Sequence, residues 1–208
     1  MGLRLGPRVL TVFLLSLPVW VPGQPGLPEA CSAGCVTEYG QVLGVTPGGV
    51  EAYSNCDADC VISDPNTYEG TYTGIKWQCV EFARRWLLNN QGAVYGDVDV
   101  AADIWNEIDH LQRVADDTRV PLESYPNGSE KAPAVGDLLI YSREYLGTGH
   151  VAVVTEVDRE AGTLRVAEQN FVNSPWPGHY ARELALVKRD GRYWVLDAYL
   201  LGWKHPPD

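Results

Sequence analysis

Apolar residues recur at helical spacing in one stretch of this chain and at alternating spacing through most of its C-terminal half. Across residues 78–90, Val80, Ala83, Trp86 and Leu87 share one side of a 3.6-residue repeat, while Glu81 and Arg85 sit four apart where an outer face is expected. Asn89-Asn90-Gln91-Gly92 ends that run with residues suited to a helix terminus. A second helix is expected over 102–111, carried by Ile104, Ile108 and Leu111. The period then shortens. Segments 135–141, 150–157, 163–168, 184–189 and 193–196 are rich in β-branched and aromatic residues and predict strands, the last two joined by an Asp190-Gly191 hairpin turn. Thr46-Pro47-Gly48-Gly49 predicts a turn into a short strand at Val50, and 63–66 and 121–133 read as loops. Helices first and antiparallel strands afterwards predict an α+β domain, with N-terminal helices packed on an antiparallel sheet.

The start of the chain changes the picture. Arg4 and Arg8 precede a short apolar run, 9–21, which closes on Val21-Pro22-Gly23, so 1–23 is expected to be a secretory signal peptide cleaved before Gln24. The run is short for a membrane span of about 20 residues, and no later stretch approaches that length. A secreted, extracellular protein without a membrane span is expected. Residues 24–38 form a Pro/Gly-rich lead-in with the first cysteine pair, and 39–205 make one domain. The formal charge of −11 becomes −13 once the two leader arginines are gone, which disfavours nucleic acid and anionic membranes and suits a cationic or neutral substrate.

Five cysteines divide unevenly. Cys31 and Cys35 form one C-x3-C pair, Cys56 and Cys60 another, and Cys79 stands alone. In an exported chain the four are expected to be disulfide-bonded, with all three connectivities open. Zinc is the rival reading, disfavoured because neither pair has a histidine nearby. No metal or cofactor is called for. The odd thiol lies at the expected helix start, where the dipole and free N–H groups favour a thiolate.

His150 opens the apolar strand Val151-Ala152-Val153-Val154, and Glu168 and Asn170 lie two apart at the end of another, where they can share a face while Gln169 points away. The residues thus predict a cysteine hydrolase. Cys79 is the nucleophile, His150 its base and acid, and Glu168 the group that orients the ring. Gln78 offers a side-chain amide to a developing oxyanion beside the Cys79 N–H, a donor typically worth about 3 kcal/mol in the transition state. Asn127-Gly128-Ser129 is an N-glycosylation acceptor in a polar loop. His110, His179 and His205 lack companions at catalytic spacing, Trp86 suits a helix core face, and Trp176 is placed to wall a substrate cleft.

Lys76-Trp77-Gln78-Cys79-Val80-Glu81-Phe82-Ala83-Arg84-Arg85, Thr148-Gly149-His150-Val151-Ala152, Ala167-Glu168-Gln169-Asn170 and Leu201-Gly202-Trp203 together resemble the CHAP family of cysteine, histidine-dependent amidohydrolases and peptidases, and within it glutathionylspermidine amidase. The resemblance runs from about Tyr39 to Lys204 and includes Leu43-Gly44-Val45-Thr46-Pro47-Gly48-Gly49-Val50 and Tyr125-Pro126-Asn127-Gly128-Ser129. It implies a papain-like fold and the same roles for Cys79, His150 and Glu168, and it marks Arg84 and Asn170 as substrate-binding positions. It also implies an amide or peptide substrate, either a glutathione–polyamine type conjugate or bacterial cell-wall peptide (peptidoglycan). The leader and the four additional cysteines depart from the amidase pattern. With the sequence ending at Asp208, no ligase activity is expected beside the amidase. The competing class is a secreted peptide- or glycan-binding module that keeps the fold without turnover.

Overall fold

The computed structural model describes Gly2, Cys31 and residues 34–206; the expected signal peptide and most of the lead-in lie outside them. The main helix, α1 (Cys79–Gln91), forms where the apolar spacing places it. Gly92, at φ 64°, takes the left-handed conformation that closes it and donates its N–H to the Leu88 carbonyl. The expected second helix does not extend to Leu111. A 3₁₀ turn over Ala101–Asp103 leads into the single helical turn α2 (Ile104–Glu107), and the chain then becomes strand β6 (His110–Arg113). Ile108 is already extended, at φ −102° and ψ 114°, and residues 108–110 are poor helix formers. Leu111 is therefore buried from a strand that pairs with β5 (Ala93–Val94) and β7 (Arg119–Pro121).

The molecule is mostly β-structure. Two small hairpins precede α1: β1 (Val42–Val45) with β2 (Glu51–Tyr53), joined by the expected turn, and β3 (Pro65–Tyr68) with β4 (Thr71–Ile75). Pro65 and Asn66, expected in a loop, open β3. The central sheet has seven antiparallel strands in the order β13-β12-β11-β10-β9-β14-β8. Its members are β8 (Glu123–Pro126), β9 (Leu138–Tyr141), β10 (His150–Asp158), β11 (Thr163–Ala167), β12 (Arg182–Arg189), β13 (Arg192–Leu196) and β14 (Leu200–His205). Asp190 and Gly191 both have positive φ, the two-residue hairpin geometry that their sequence predicts. β8 falls inside the segment expected to be a loop, because an exposed edge strand carries no apolar alternation.

Alternation along β9 and β10 divides the core between two faces. Leu138, Ile140, Val151 and Val153 pack with Phe82, Ala83, Trp86 and Leu87 of α1. Leu139, Tyr141, Ala152 and Val154 turn to the other face and meet Leu164, Val166, Leu184, Leu186, Val195 and Trp203. The α1 N-terminus is thereby held against the start of β10.

Candidate active site

Cys79 is the first residue of α1 and is 8 % exposed. Its own N–H, at the first helical position, has no intrahelical acceptor. Burial pushes the thiol up, but the charge and hydrogen bond of His150, with the N–H groups of Val151 and Val80, outweigh it and hold Cys79 below its ordinary value. His150, buried to 1 % exposure, is at the first position of β10. The preceding Gly149 is needed there: it has φ 71°, and a Cβ would lie 2.5 Å from the Tyr141 carbonyl oxygen.

Register explains the third partner. Val153 pairs with Ala167, so continuing the ladder sets Glu168 opposite Ala152, on the face His150 shares two residues away. His150 Nε2 lies 2.9 Å from Glu168 Oε2, which leaves Nδ1 for the thiol. Burial works against a charged imidazole, yet the Cys79 thiolate and the Glu168 carboxylate push His150 up to about 9. Glu168 is itself buried, which raises a carboxyl, but His150 and Arg182 hold it below the usual carboxylate range.

Arg182, at the start of β12, escapes the sequence reading altogether. It forks onto Glu168, with Nε 2.5 Å from Oε1 and Nη2 3.1 Å from Oε2. Nη1 reaches Asp197 Oδ2 at 2.7 Å, and the Tyr141 hydroxyl donates to the same oxygen. The guanidinium lies 3.9 Å from the Phe171 ring centroid. No motif signals this residue; the only clue in the sequence is that a buried carboxylate beside a histidine calls for a second cation.

Gln78 caps α1 from an extended conformation. Its Nε2 donates to Asn55 Oδ1 at 3.2 Å, and its Oε1 accepts from Asn170 Nδ2 at 2.9 Å. Asn170 therefore bonds to Gln78 and not to His150. Gln169 points the other way, into α1, where it accepts from Tyr53 N–H and Arg85 and donates to Glu81 and the Gln78 carbonyl. Glu81 and Arg85, expected on an outer face, are buried at 0 % and 4 % exposure and bonded to each other at 2.7 Å. Their i,i+4 spacing is that of a surface pair, but β2, β4 and Gln169 close over them.

A cleft of about 490 Å³ opens onto Gln78, Cys79, His150 and Asn170. Apart from Cys79 and His150 themselves, its charged lining residues are Asp59, Asp97 and Asp99. Arg84 stands behind this wall: it is buried, donates to Asp97 Oδ1 at 3.0 Å and to the Tyr72 carbonyl, and does not itself line the cleft. Trp176 packs edge-on to Phe82 and lines a smaller neighbouring cavity with Glu168 and Arg182. Asn127 exchanges two hydrogen bonds with the Val195 backbone, so its amide serves as a strand partner. Of the other histidines, His205 is buried against Asp137, while His110 and His179 are more open.

The four remaining cysteines are bonded crosswise, Cys31 to Cys60 and Cys35 to Cys56. This pairing ties the lead-in to the loop after β2. Ala58, Asp59 and Val61 of that region line the cleft.

The arrangement can supply a thiolate, an imidazolium and nearby N–H donors at one point of a cleft, which is what acyl transfer through a thioester requires. Comparison with known proteins agrees. Residues 68–170 match the family described as CHAP domain. The chain is 40% identical over 183 residues to the bifunctional glutathionylspermidine synthetase/amidase of Escherichia coli (strain K12), covering 79% of this chain and 29% of that protein. It is 34% identical over 160 residues to the trypanothione synthetase of Crithidia fasciculata, covering 76% and 24%. A glutathionylspermidine synthase of the same organism is 34% identical over 188 residues, covering 79% and 26%. The chain thus spans less than a third of the length of the curated relatives it matches. Motif, geometry and relatives meet in one conclusion: this is a CHAP-domain protein of the cysteine amidase and peptidase type.

Proposed function

We propose that this chain is an exported amidase on a papain-like α+β framework, acting through Cys79, His150 and Glu168 on an amide whose amine portion is cationic. The observation that carries the reading is the buried Cys79–His150–Glu168 line at a helix N-terminus, opening into a cleft whose charged walls are Asp59, Asp97 and Asp99. Such walls suit a polyamine conjugate, the kind of compound named in the matching bifunctional synthetase/amidase. The Cys79 thiolate attacks the amide carbon, and the oxyanion is met by the Cys79 N–H and the Gln78 amide. His150 gives its proton to the departing amine as the C–N bond breaks, which leaves a thioester. His150 then takes a proton from water, whose oxygen displaces the thiolate and releases the carboxylate. Glu168 keeps the ring oriented and its charge compensated throughout. Arg84 and Asn170 support substrate binding indirectly, by fixing Asp97 and Gln78.

Cell-wall peptide is the second reading, favoured by the leader sequence and the two disulfides, since an exported enzyme meets peptidoglycan directly. Amine release should be measured from glutathionylspermidine and from purified peptidoglycan, without reductant, beside the Cys79→Ala variant. Release from the polyamine conjugate that vanishes in the variant is the expected result. Cys79-dependent release from peptidoglycan alone would transfer the assignment to the second reading, and folded protein with a free thiol that releases amine from neither would overturn both.

A further inference from the structure

Asn55 lies between β2 and the first cysteine of the 56–60 loop and is completely buried. Every polar atom of its side chain is engaged. The two N–H groups of Nδ2 are shared among the Cys60 carbonyl at 2.5 Å, the Asp57 carbonyl at 3.0 Å and Asn170 Oδ1 at 3.2 Å. Oδ1 accepts from the Trp77 N–H at 3.3 Å and from Gln78 Nε2 at 3.2 Å. Its backbone N–H is held by Asn173 Oδ1 at 2.9 Å. One amide thus joins the disulfide-tied loop to the two residues that precede Cys79.

The consequence falls on Gln78. A primary amide has two N–H donors and one carbonyl. Asn170 occupies the Gln78 carbonyl and Asn55 takes one N–H, so the amide plane is fixed and the second N–H remains for the cleft that Gln78 lines. The loop carbonyls that hold Asn55 belong to a five-residue segment closed at both ends, by Cys35–Cys56 and by Cys31–Cys60. Further bonds brace the same place, from Val36 N–H to the Cys56 carbonyl and from the Ser54 hydroxyl to the Thr37 carbonyl.

We propose that Asn55 is a positioning residue, clamped by the two disulfides, that aims the Gln78 amide at the transition state. Turnover then depends on oxidised cysteine pairs and not only on a free Cys79. This rests on the amidase reading. A dithiol reductant would convert each disulfide to two thiols, itself becoming a cyclic disulfide. It would release the loop while leaving Cys79 a thiol.

The test is a double-mutant cycle on amine release with Asn55→Ala, Gln78→Ala and both together, reading kcat and KM separately. Each single change should lower kcat by about 10²-fold, the usual cost of an oxyanion donor. KM should move far less, and the double variant should be no slower than the worse single one. Brief dithiol treatment should slow the wild type by a similar factor, reversibly on reoxidation, and leave Asn55→Ala unaffected. Asn55→Ser keeps a neutral oxygen able to accept from Gln78 or Trp77 and should retain more kcat than Asn55→Ala. It also serves as the folded comparison if the alanine variant loses its near-UV circular dichroism. Losses that multiply in the double variant, or wild-type kcat in a folded Asn55 variant, would overturn the inference alone. A wild type that releases no amine would overturn the amidase reading and this inference with it.

Discussion

At the residue scale the site rests on three buried charges that hold one another. His150 stays protonated up to about 9 because Cys79 and Glu168 flank it, and Cys79 is held low because His150 is charged. The two titrate as a pair. As pH rises, the thiolate forms below the ordinary thiol value of about 8.5. The imidazolium, which in the proposed mechanism protonates the leaving amine, is lost near 9. The pH profile of kcat/KM should be a bell whose falling limb lies near 9, and alkylation of Cys79 by iodoacetamide should already be fast below the ordinary thiol value. Alkylation that rises only around the ordinary thiol value would mean that no ion pair forms. Glu168→Gln should fold normally and lower kcat by about 10²-fold. Arg182→Met would leave Glu168 buried with His150 as its only cation, so burial would raise the carboxyl and shift the acid limb of the profile upward. An acid limb that does not move would reduce Arg182 to packing. The candidate residues Cys79, His150 and Glu168, which the structure brings together, are legible in the sequence because each sits at an element end that its neighbours announce. Arg182 and Asn55 are not, because they meet the site only through tertiary contacts with residues 14 and 23 positions away.

At the scale of elements, α1 shows what spacing conveys and what it hides. Its limits follow from Gln78 and Gly92, and its apolar face from Phe82, Ala83, Trp86 and Leu87. The opposite face, which the spacing presents as wet, is instead sealed. Asn66, Thr73 and Gln169 all donate to Glu81, whose partner Arg85 also bonds the Glu51 carbonyl. The same blindness explains the misplaced second helix, since Ile104, Ile108 and Leu111 satisfy a helical repeat although the last belongs to a strand. Helical spacing reports which residues are apolar, not which neighbours will cover the polar ones. Because α1 carries Cys79 at its tip, the Glu81–Arg85 pair fixes the proposed nucleophile as well as the helix. Removing one partner strands the other charge in the interior, so Glu81→Ala should cost about 3–5 kcal/mol in urea unfolding. A cost below about 1 kcal/mol, the usual worth of a surface pair, would contradict so complete a burial.

For the whole molecule, the net charge and the charge of the cleft walls have the same sign. The chain carries a formal charge of −11, and the cleft at Cys79 is walled by Asp59, Asp97 and Asp99. The field of the whole protein and that of the site therefore have one sign, which raises the local concentration of cations at the cleft mouth. Screening makes this testable apart from the chemistry. At about 0.15 M ionic strength the Debye length is about 8 Å, and at about 1 M it is about 3 Å. Between those conditions KM for a polyamine amide should rise several-fold while kcat holds, and a neutral amide with the same acyl group should show no such rise. Asp99→Asn should raise KM for the cationic substrate at low salt and remove part of its salt dependence. Asp97→Asn should do less, because Arg84 already compensates that carboxylate at 3.0 Å. If both amides respond to salt alike, the acidity serves solubility alone and the preference for a cationic amine fails. The same result would shift weight to peptidoglycan, whose cleavage an exported, disulfide-braced enzyme could perform without any attraction to a cation.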